Sequence, residues 1–292
     1  MDVLKPRSLE EALSLKARWP EALPIAGGTD LMVELNAGRR HPTAVIDVSH
    51  LPELKEWGTD GGACFLGAGV TYASILRGPV GWDLLASASR TVGSPQIRAR
   101  GTVGGNLGTA SPAGDSLPVL AAYDAEVLLR SESGTRSLPW HAFLVGPKRT
   151  AIRPDELIVG ARWPGRRHVG TYSKIGTRSA MVIAVASLAL VIDEDAREVR
   201  VALGSVGPTV LRAHEAEAFA ASALADAGAW DDPGVPVRAG VTQEFGALVA
   251  SAARPIDDVR GTAAYRRHAC AVLGARALGW LLRERSTPTQ AA

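Results

Sequence analysis

Two short stretches of this chain place glycine, threonine, asparagine and aspartate where main-chain atoms could hold a ligand. Residues 101–118 read Gly-Thr-Val-Gly-Gly-Asn-Leu-Gly-Thr-Ala-Ser-Pro-Ala-Gly-Asp-Ser-Leu-Pro. Glycine lets the backbone reach positive φ and approach a ligand closely. Consecutive N–H groups in such turns form a nest that attracts anions. Asp115, at the far end, could accept hydrogen bonds from hydroxyls. The stretch lies between the apolar segments Val92–Ile97 and Val119–Leu129, so the expectation is a long ordered loop with no packed element of its own, and such loops are usually functional. The second stretch, Pro24-Ile-Ala-Gly-Gly-Thr-Asp-Leu31, is a brief apolar run, two glycines, and Thr29 or Asp30 as cap of a helix through Leu35. A glycine turn opening a helix suits phosphate, because orphan N–H groups and the helix dipole act together. Taken singly, each stretch is equally a turn with no ligand.

Other chemistry is sparse. Lys174, in Tyr172-Ser-Lys-Ile175, falls on an expected strand. It either faces water or turns inward to a bound ring or an adjoining carboxylate, and Arg178 has the same two choices. There is no G-x-G-x-x-G after a strand, no P-loop and no H-E-x-x-H. No G-x-S-x-G elbow occurs either. The six histidines show no metal-ligand spacing. Cys64 and Cys270 are too few and too far apart for a disulfide framework or an iron–sulfur cluster. A net charge of +2, with scattered arginine pairs, gives no footprint for nucleic acid. The first residues lack a signal core and the most apolar run, Met181–Ile192, is too short to span a bilayer. A cytoplasmic protein with reduced thiols is the expectation. Two loops suited to a diphosphate, with no nucleophile or metal signature, leave the chemistry to a cofactor.

The elements that must position these residues follow from pattern. Ser8 and Glu11 form a capping box for a first helix. Ala44–Val48 and Cys64–Val70 read as strands, Leu84–Val92 as a helix, and Ser116 as the cap of a further helix. Ala125–Arg130 and Leu157–Trp163 are strands. After about residue 168 the character changes. Thr171–Ile175, Val182–Ile192 and Val199–Val206 are β-branched runs that read as an antiparallel sheet, with a hairpin at Glu194–Glu198. Helices follow near 212–225, 237–252 and 263–285. The last is amphipathic, with Tyr265, Ala269, Val272 and Leu273 inward and its arginines outward. Strands followed by helices suggest an α+β C-terminal domain. The domains read as 1–168 (subdomains about 1–57 and 58–168), 169–285, and a tail at 286–292.

With these residues in view, the chain resembles the FAD-binding medium subunit of the molybdenum hydroxylases, the xanthine dehydrogenase and aerobic carbon monoxide dehydrogenase types. The resemblance rests on Ala26-Gly-Gly-Thr-Asp30, on Thr102-Val-Gly-Gly-Asn106 followed by Ala110-Ser-Pro-Ala-Gly-Asp115, and on Pro255-Ile-Asp-Asp-Val-Arg-Gly261 with Tyr265-Arg-Arg-His268. It runs from Val3 to about Leu282. It implies an α+β protein: an FAD domain of two α/β subdomains, of the vanillyl-alcohol-oxidase or PCMH-like kind, then an α+β C-terminal domain. It implies that Pro24, Ile25, Ala26, Gly27, Gly28, Thr29, Asp30 and Leu31 wrap the FAD diphosphate. Thr102, Val103, Gly104, Gly105 and Asn106 would form a second FAD loop. Asp115 would bind the polyol or nearby polar groups, Ile158 would make a contact near the isoalloxazine, and Lys174 would approach the ring. Two positions depart from the family: Val92 stands where some relatives place an aromatic residue, and Thr29 where carbon monoxide dehydrogenase-type chains often have His.

The resemblance further implies an oxidoreductase subunit with no catalytic or metal-ligating residues of its own. A small iron–sulfur partner subunit would deliver electrons to FAD, and a large molybdopterin subunit would oxidise the substrate. The assembly would be a heterotrimer that pairs, with NAD, a quinone or oxygen as acceptor. Two other readings compete with it: a stand-alone FAD-dependent oxidoreductase, and an assembly subunit with a degenerate FAD site.

Overall fold

The computed structural model describes residues 1–78 and 82–286. Of the tail assigned to 286–292, all but Ser286 lies outside the described residues; Ser286 ends the last helix. Strand β1 (Asp2–Leu4) leads into α1 (Leu9–Arg18). Ser8 Oγ accepts the Glu11 N–H at 3.2 Å, and the Glu11 carboxylate accepts the Arg7 N–H at 2.7 Å. The capping box therefore closes on the residue before the cap. Then come β2 (Leu23–Ile25), α2 (Leu31–Asn36) and β3 (Ala44–Asp47), which complete a parallel sheet of order β1-β3-β2. Leu9 and Leu13 of α1 pack with Ile46 of the central strand and with Leu51.

A hairpin of β4 (Trp57–Asp60) and β5 (Ala63–Gly67) is followed by five short helices: α3 (Tyr72–Ile75), α4 (Asp83–Thr91), α5 (Pro95–Arg100), α6 (Val103–Thr109) and α7 (Ser116–Ala122). The segment 101–118 is thus largely helical, against the expectation of a loop. Its glycines are tolerated because Thr102 caps α6 and neighbouring carbonyls anchor its first turn. Ser116 is not a cap; Asp115 holds that position and gives no side-chain cap bond. Strands β6 (Glu126–Ser131) and β7 (Gly134–Pro139), helix α8 (Trp140–Phe143), the ribbon β8 (Leu144–Gly146) and β9 (Arg149–Thr150), and β10 (Leu157–Pro164) follow. They complete an antiparallel sheet of order β4-β5-β10-β6-β7. Its central strand, β10, shifts register between Ile158 and Gly160, and the Val159 carbonyl accepts the Ala68 N–H.

The rest is β11 (His168–Ile175), β12 (Ala186–Asp193), β13 (Glu198–Gly204), β14 (Leu211–Arg212), α9 (His214–Asp226), α10 (Val241–Ala252) and α11 (Ala263–Ser286). The four strands form one antiparallel sheet in chain order. Every residue of β12 is buried, so the strand is covered on both faces and its sequence is a continuous apolar run rather than an alternating one. Leu188, Leu190 and Ile192 share a core with α9, α10 and α11, while α4 and α7 also pack on this sheet. The carbonyls at the end of α7 are capped by arginines: Arg200 Nε donates to Ala122 O at 2.8 Å and Arg212 Nη1 to Ala121 O at 3.2 Å.

One expectation for α11 is reversed. Tyr265 is 48% exposed, whereas Arg266 is 2% exposed. Arg266 donates to the Val185 and Ser205 carbonyls at 2.8 Å each and to Asp258 at 2.6 Å. A buried guanidinium is stable here because three different acceptors surround it. Packing divides the chain into two units: Met1–Trp82, Val92–Ser111 and Asp124–Gly165 form the first, and Asp83–Thr91, Pro112–Tyr123 and Arg166–Ala292 the second.

Candidate functional site

In the first unit, Pro24 and Ile25 end β2, and the Ile25 carbonyl accepts the Val48 N–H at 2.9 Å. The chain then leaves the sheet. Among the described residues no protein acceptor faces the N–H groups of Ala26, Gly27, Gly28 and Thr29. These four residues are partly exposed, and Gly28 has φ +72°. A run of successive free donors in a turn is an anion nest. Asp30 precedes α2 without a side-chain cap bond, and Leu31 is the helix's first residue.

The end of α5 and the last residue of α6 lie against this turn. A Cβ on Gly27 would sit 2.0 Å from the Arg100 carbonyl oxygen, so only glycine lets the two backbones meet. Thr109 Oγ1 donates to Asp30 Oδ2 at 3.3 Å. Residues 24–31 and 101–109, far apart in sequence, are therefore neighbours in the first unit.

Their chemistry differs. At the start of α6, the Val103 N–H goes to Val70 O, that of Gly104 to Ala68 O, that of Gly105 to Thr102 Oγ1, and that of Asn106 to Thr102 O. The nest expected over 102–106 is not formed, because those donors serve the fold. Gly104 is glycine for packing: a Cβ there would lie 2.4 Å from Ala68 Cβ and 2.6 Å from Ala68 O. Gly105 and Gly108, by contrast, are exposed. With Thr109 they fall three and four residues apart, on one helix face. That face has almost no side-chain relief, so an extended or planar ligand can lie flat on it. Ile158 borders it, its Cδ1 3.5 Å from where a Gly108 Cβ would be. Sequence reasoning missed Gly108 and Thr109; the signal was the helical spacing of Gly105, Gly108 and Thr109.

The second unit holds a separate cluster. Lys174 Nζ donates to Asp115 Oδ2 at 2.6 Å and to the Thr91 carbonyl at 3.1 Å. Tyr172 OH donates to Asp115 Oδ1 at 2.9 Å, and Thr91 Oγ1 to Asp115 Oδ2 at 3.2 Å. Tyr172 and Lys174 are two apart on β11, so both side chains leave the same face. Of the two inward choices open to Lys174, the carboxylate is taken. Burial pushes the Asp115 carboxyl above its ordinary value, with Lys174 pulling the other way. Burial likewise pushes the Tyr172 phenol well up, helped by the neighbouring Asp115. Thr91 was the member that sequence reasoning missed. Arg178 stays at the surface, bonded to the carbonyls of Ala180 and Met181. Val92 follows α4, and its carbonyl accepts from Arg98 at 3.0 Å.

The first unit is thus an α/β binding domain that presents an anion nest beside a flat glycine face, the architecture of a domain that seats an extended anionic cofactor. Residues 1–165 match the family described as FAD binding domain in molybdopterin dehydrogenase, and residues 171–281 match the CO dehydrogenase flavoprotein C-terminal domain. The chain belongs to this family of FAD-binding subunits, whose members are oxidoreductase subunits. It is 36% identical over 190 residues to the nicotinate dehydrogenase FAD-subunit of Eubacterium barkeri, a match spanning 62% of this chain and 64% of that one. It is 30% identical over 280 residues to the glyceraldehyde dehydrogenase medium chain of Sulfolobus acidocaldarius, covering 94% and 95% of the two. Its fold matches a chain of the carbon monoxide dehydrogenase of Hydrogenophaga pseudoflava that lacks the Mo-pyranopterin moiety of the molybdenum cofactor. There the TM-score is 0.85 at 26% identity, covering 97% of this chain and 98% of that one.

Proposed function

We propose that this chain is the electron-transfer subunit of a molybdenum hydroxylase complex. It takes electrons from the iron–sulfur clusters of a small partner subunit and passes them to an external acceptor: NAD, a quinone or oxygen. A large partner subunit carries molybdopterin and oxidises the substrate. The observation that carries this reading is the run of free N–H groups at Ala26–Thr29 beside the exposed glycines of α6. A diphosphate matches the first and a flat, extended ligand the second.

Bound FAD supplies electron acceptance one at a time and release in pairs. The chain's residues supply placement. Pro24–Leu31 holds the diphosphate by main-chain donors. Thr102–Asn106 contributes a packed helix start whose outer glycine, Gly105, leaves room for the cofactor. Ile158 bounds that surface with an apolar side chain. In the second unit, Lys174 provides a cation whose position Asp115 and Tyr172 fix by hydrogen bonds. A fixed positive charge beside a group that gains electrons favours the reduced form. Residues 1–168, with subdomains about 1–57 and 58–168, serve the cofactor, and residues 169–285 form the C-terminal flavoprotein domain. The complex is a paired heterotrimer in the cytoplasm; no helix among the described residues is long and apolar enough to cross a membrane.

The test is a visible spectrum of the purified chain, with heat release and identification of any flavin. Stoichiometric FAD supports the site. A chain that binds no flavin, alone or within a purified complex, sinks the reading.

A further inference from the structure

The second unit carries an apolar surface that the cofactor reading does not use. Asp258 and Gly261 form an isolated antiparallel bridge, so Val259 and Arg260 are the tip of a two-residue hairpin. Val259 is fully exposed, and Ile256 is 71% exposed. Gly261 abuts Val185, at 3.2 Å from Val185 Cγ1 to the Cβ position. This sets the hairpin against the 176–185 segment, where Met181 and Ile183 are 56% and 59% exposed. Tyr265 extends the same surface; its ring carbon Cδ1 lies 3.6 Å from the Gly261 Cβ position. Five large apolar side chains thus face water on two adjoining segments.

The surface is held in shape. Asp258 accepts from Arg260 at 2.7 Å and from the buried Arg266 at 2.6 Å, and Arg266 also ties down the carbonyls of Val185 and Ser205. A rigid hairpin that presents valine at its tip gains nothing from internal burial, because the side chain meets no core. Contiguous exposed apolar surface with a polar rim marks an interaction site. Pre-ordering it lowers the entropy lost on association.

Charge and position specify the occupant. Residues 176–186 and 254–268 together carry five arginines and two aspartates. Both aspartates are engaged within the surface: Asp258 by Arg260 and Arg266, and Asp257 by the Ala263 N–H. Among the described residues, Arg178 and Arg254 bond only main-chain carbonyls, and Arg267 is exposed. The rim is therefore basic and suits an acidic partner. The surface also begins directly beyond Lys174: the Val185 N–H donates to Ile175 O at 2.7 Å. Electron transfer falls steeply with distance, so a protein that delivers single electrons must dock near the residues that address the flavin. We infer that Met181, Ile183, Ile256, Val259 and Tyr265 form the docking surface for the cluster-bearing partner subunit, which meets it with an acidic-rimmed apolar patch. This rests on the functional reading above.

The test uses the complex purified through a tag on this chain from its own organism. First, Val259→Cys is joined to a short maleimide photo-crosslinker; the native Cys64 and Cys270 are buried. The adduct expected by mass spectrometry is with the iron–sulfur subunit. An adduct with the molybdenum-bearing subunit or with a second copy of this chain, or no adduct, overturns the assignment. Second, Val259→Asp and Ile183→Asp should lower iron per chain by about tenfold or more, with FAD per chain and melting temperature unchanged. Arg267→Glu should lower it less, and most at low salt. Full iron retention in all three overturns the docking surface while leaving the functional reading intact. A wild-type chain that purifies with FAD but without iron overturns the functional reading, and this occupant with it.

Discussion

Lys174 Nζ lies 2.6 Å from Asp115 Oδ2, and each side chain is only 7% exposed. The pair joins a strand to the residue that precedes α7, across 59 residues of sequence. Removing one partner of a buried pair strands the other. Lys174→Ala is therefore expected to destabilise the second unit by about 3–5 kcal/mol, measured by urea unfolding. Pairing it with Asp115→Asn should recover part of that loss, and a double-mutant cycle reads the coupling. In FAD-loaded protein, Lys174→Ala should also lower the flavin reduction potential while Lys174→Arg holds it. A potential that ignores both changes would remove the lysine from the flavin's surroundings.

Two adjacent glycines should behave in opposite ways. Gly104→Ala pushes a methyl into Ala68 and should cost at least about 1–3 kcal/mol by overpacking. Gly105→Ala meets only Thr102 Oγ1, at 3.1 Å, on an exposed face. It should leave the flavin-free chain as stable or up to about 1 kcal/mol more so, by helix propensity, and yet weaken FAD binding. Thermal melts with and without FAD separate the two effects. A Gly105→Ala chain with unchanged FAD affinity would show that no ligand lies along that face.

Acid should loosen the hairpin at 258–261. Hydrogen bonds from Arg260, with Arg266 beside them, hold the Asp258 carboxyl well below the usual carboxylate range. Its folded-state pKa is lower than the unfolded value, so its contribution is present above the ordinary pKa, about 4. That contribution is lost as pH falls through the folded value. Melting temperatures of wild type and Asp258→Asn should differ most near neutral pH and converge in acid. A gap that widens on acidification would contradict the pairing.

The thiols should be silent. Burial pushes Cys270 up to about 12, and Cys64 is also buried and unpaired. Thiolate is the reactive form, so a disulfide-exchange reagent at mildly alkaline pH should titrate both thiols only after unfolding. Rapid reaction of the native chain would contradict this packing.

Much of the architecture was legible because pattern and burial agree. The antiparallel strands after residue 168, the capping Ser8 and the long last helix follow from β-branched runs, a capping box and helical spacing. Misreadings came where a tertiary partner reversed a local rule. Residues 103–109 look too glycine-rich for a helix, yet Thr102 caps them and the carbonyls of Ala68 and Val70 fix the first turn. Arg266 looks like a surface arginine until Val185, Ser205 and Asp258 are brought around it. The glycine pairs were legible as points of close backbone approach, but not their division of labour. Which N–H groups stay free at 26–29, and which are taken at 103–106, depends on carbonyls distant in sequence. The Tyr172–Lys174 face was readable from strand period; its partner Asp115 was not.

Helices α4 and α7 are encoded early, within the stretch that matches the FAD-binding domain, but they pack on β11, β12 and β13. Leu84, Leu85, Val119 and Leu120 are buried in the finished chain. While the polypeptide is still emerging from the ribosome, these leucines and the valine have no lasting cover until the strands beyond residue 168 are made. A nascent chain halted at residue 165 would present them to chaperones or to other copies of itself. For the same reason, swapping the two matched regions between relatives at a single crossover near residue 166 would separate helices from the sheet they were selected to fit.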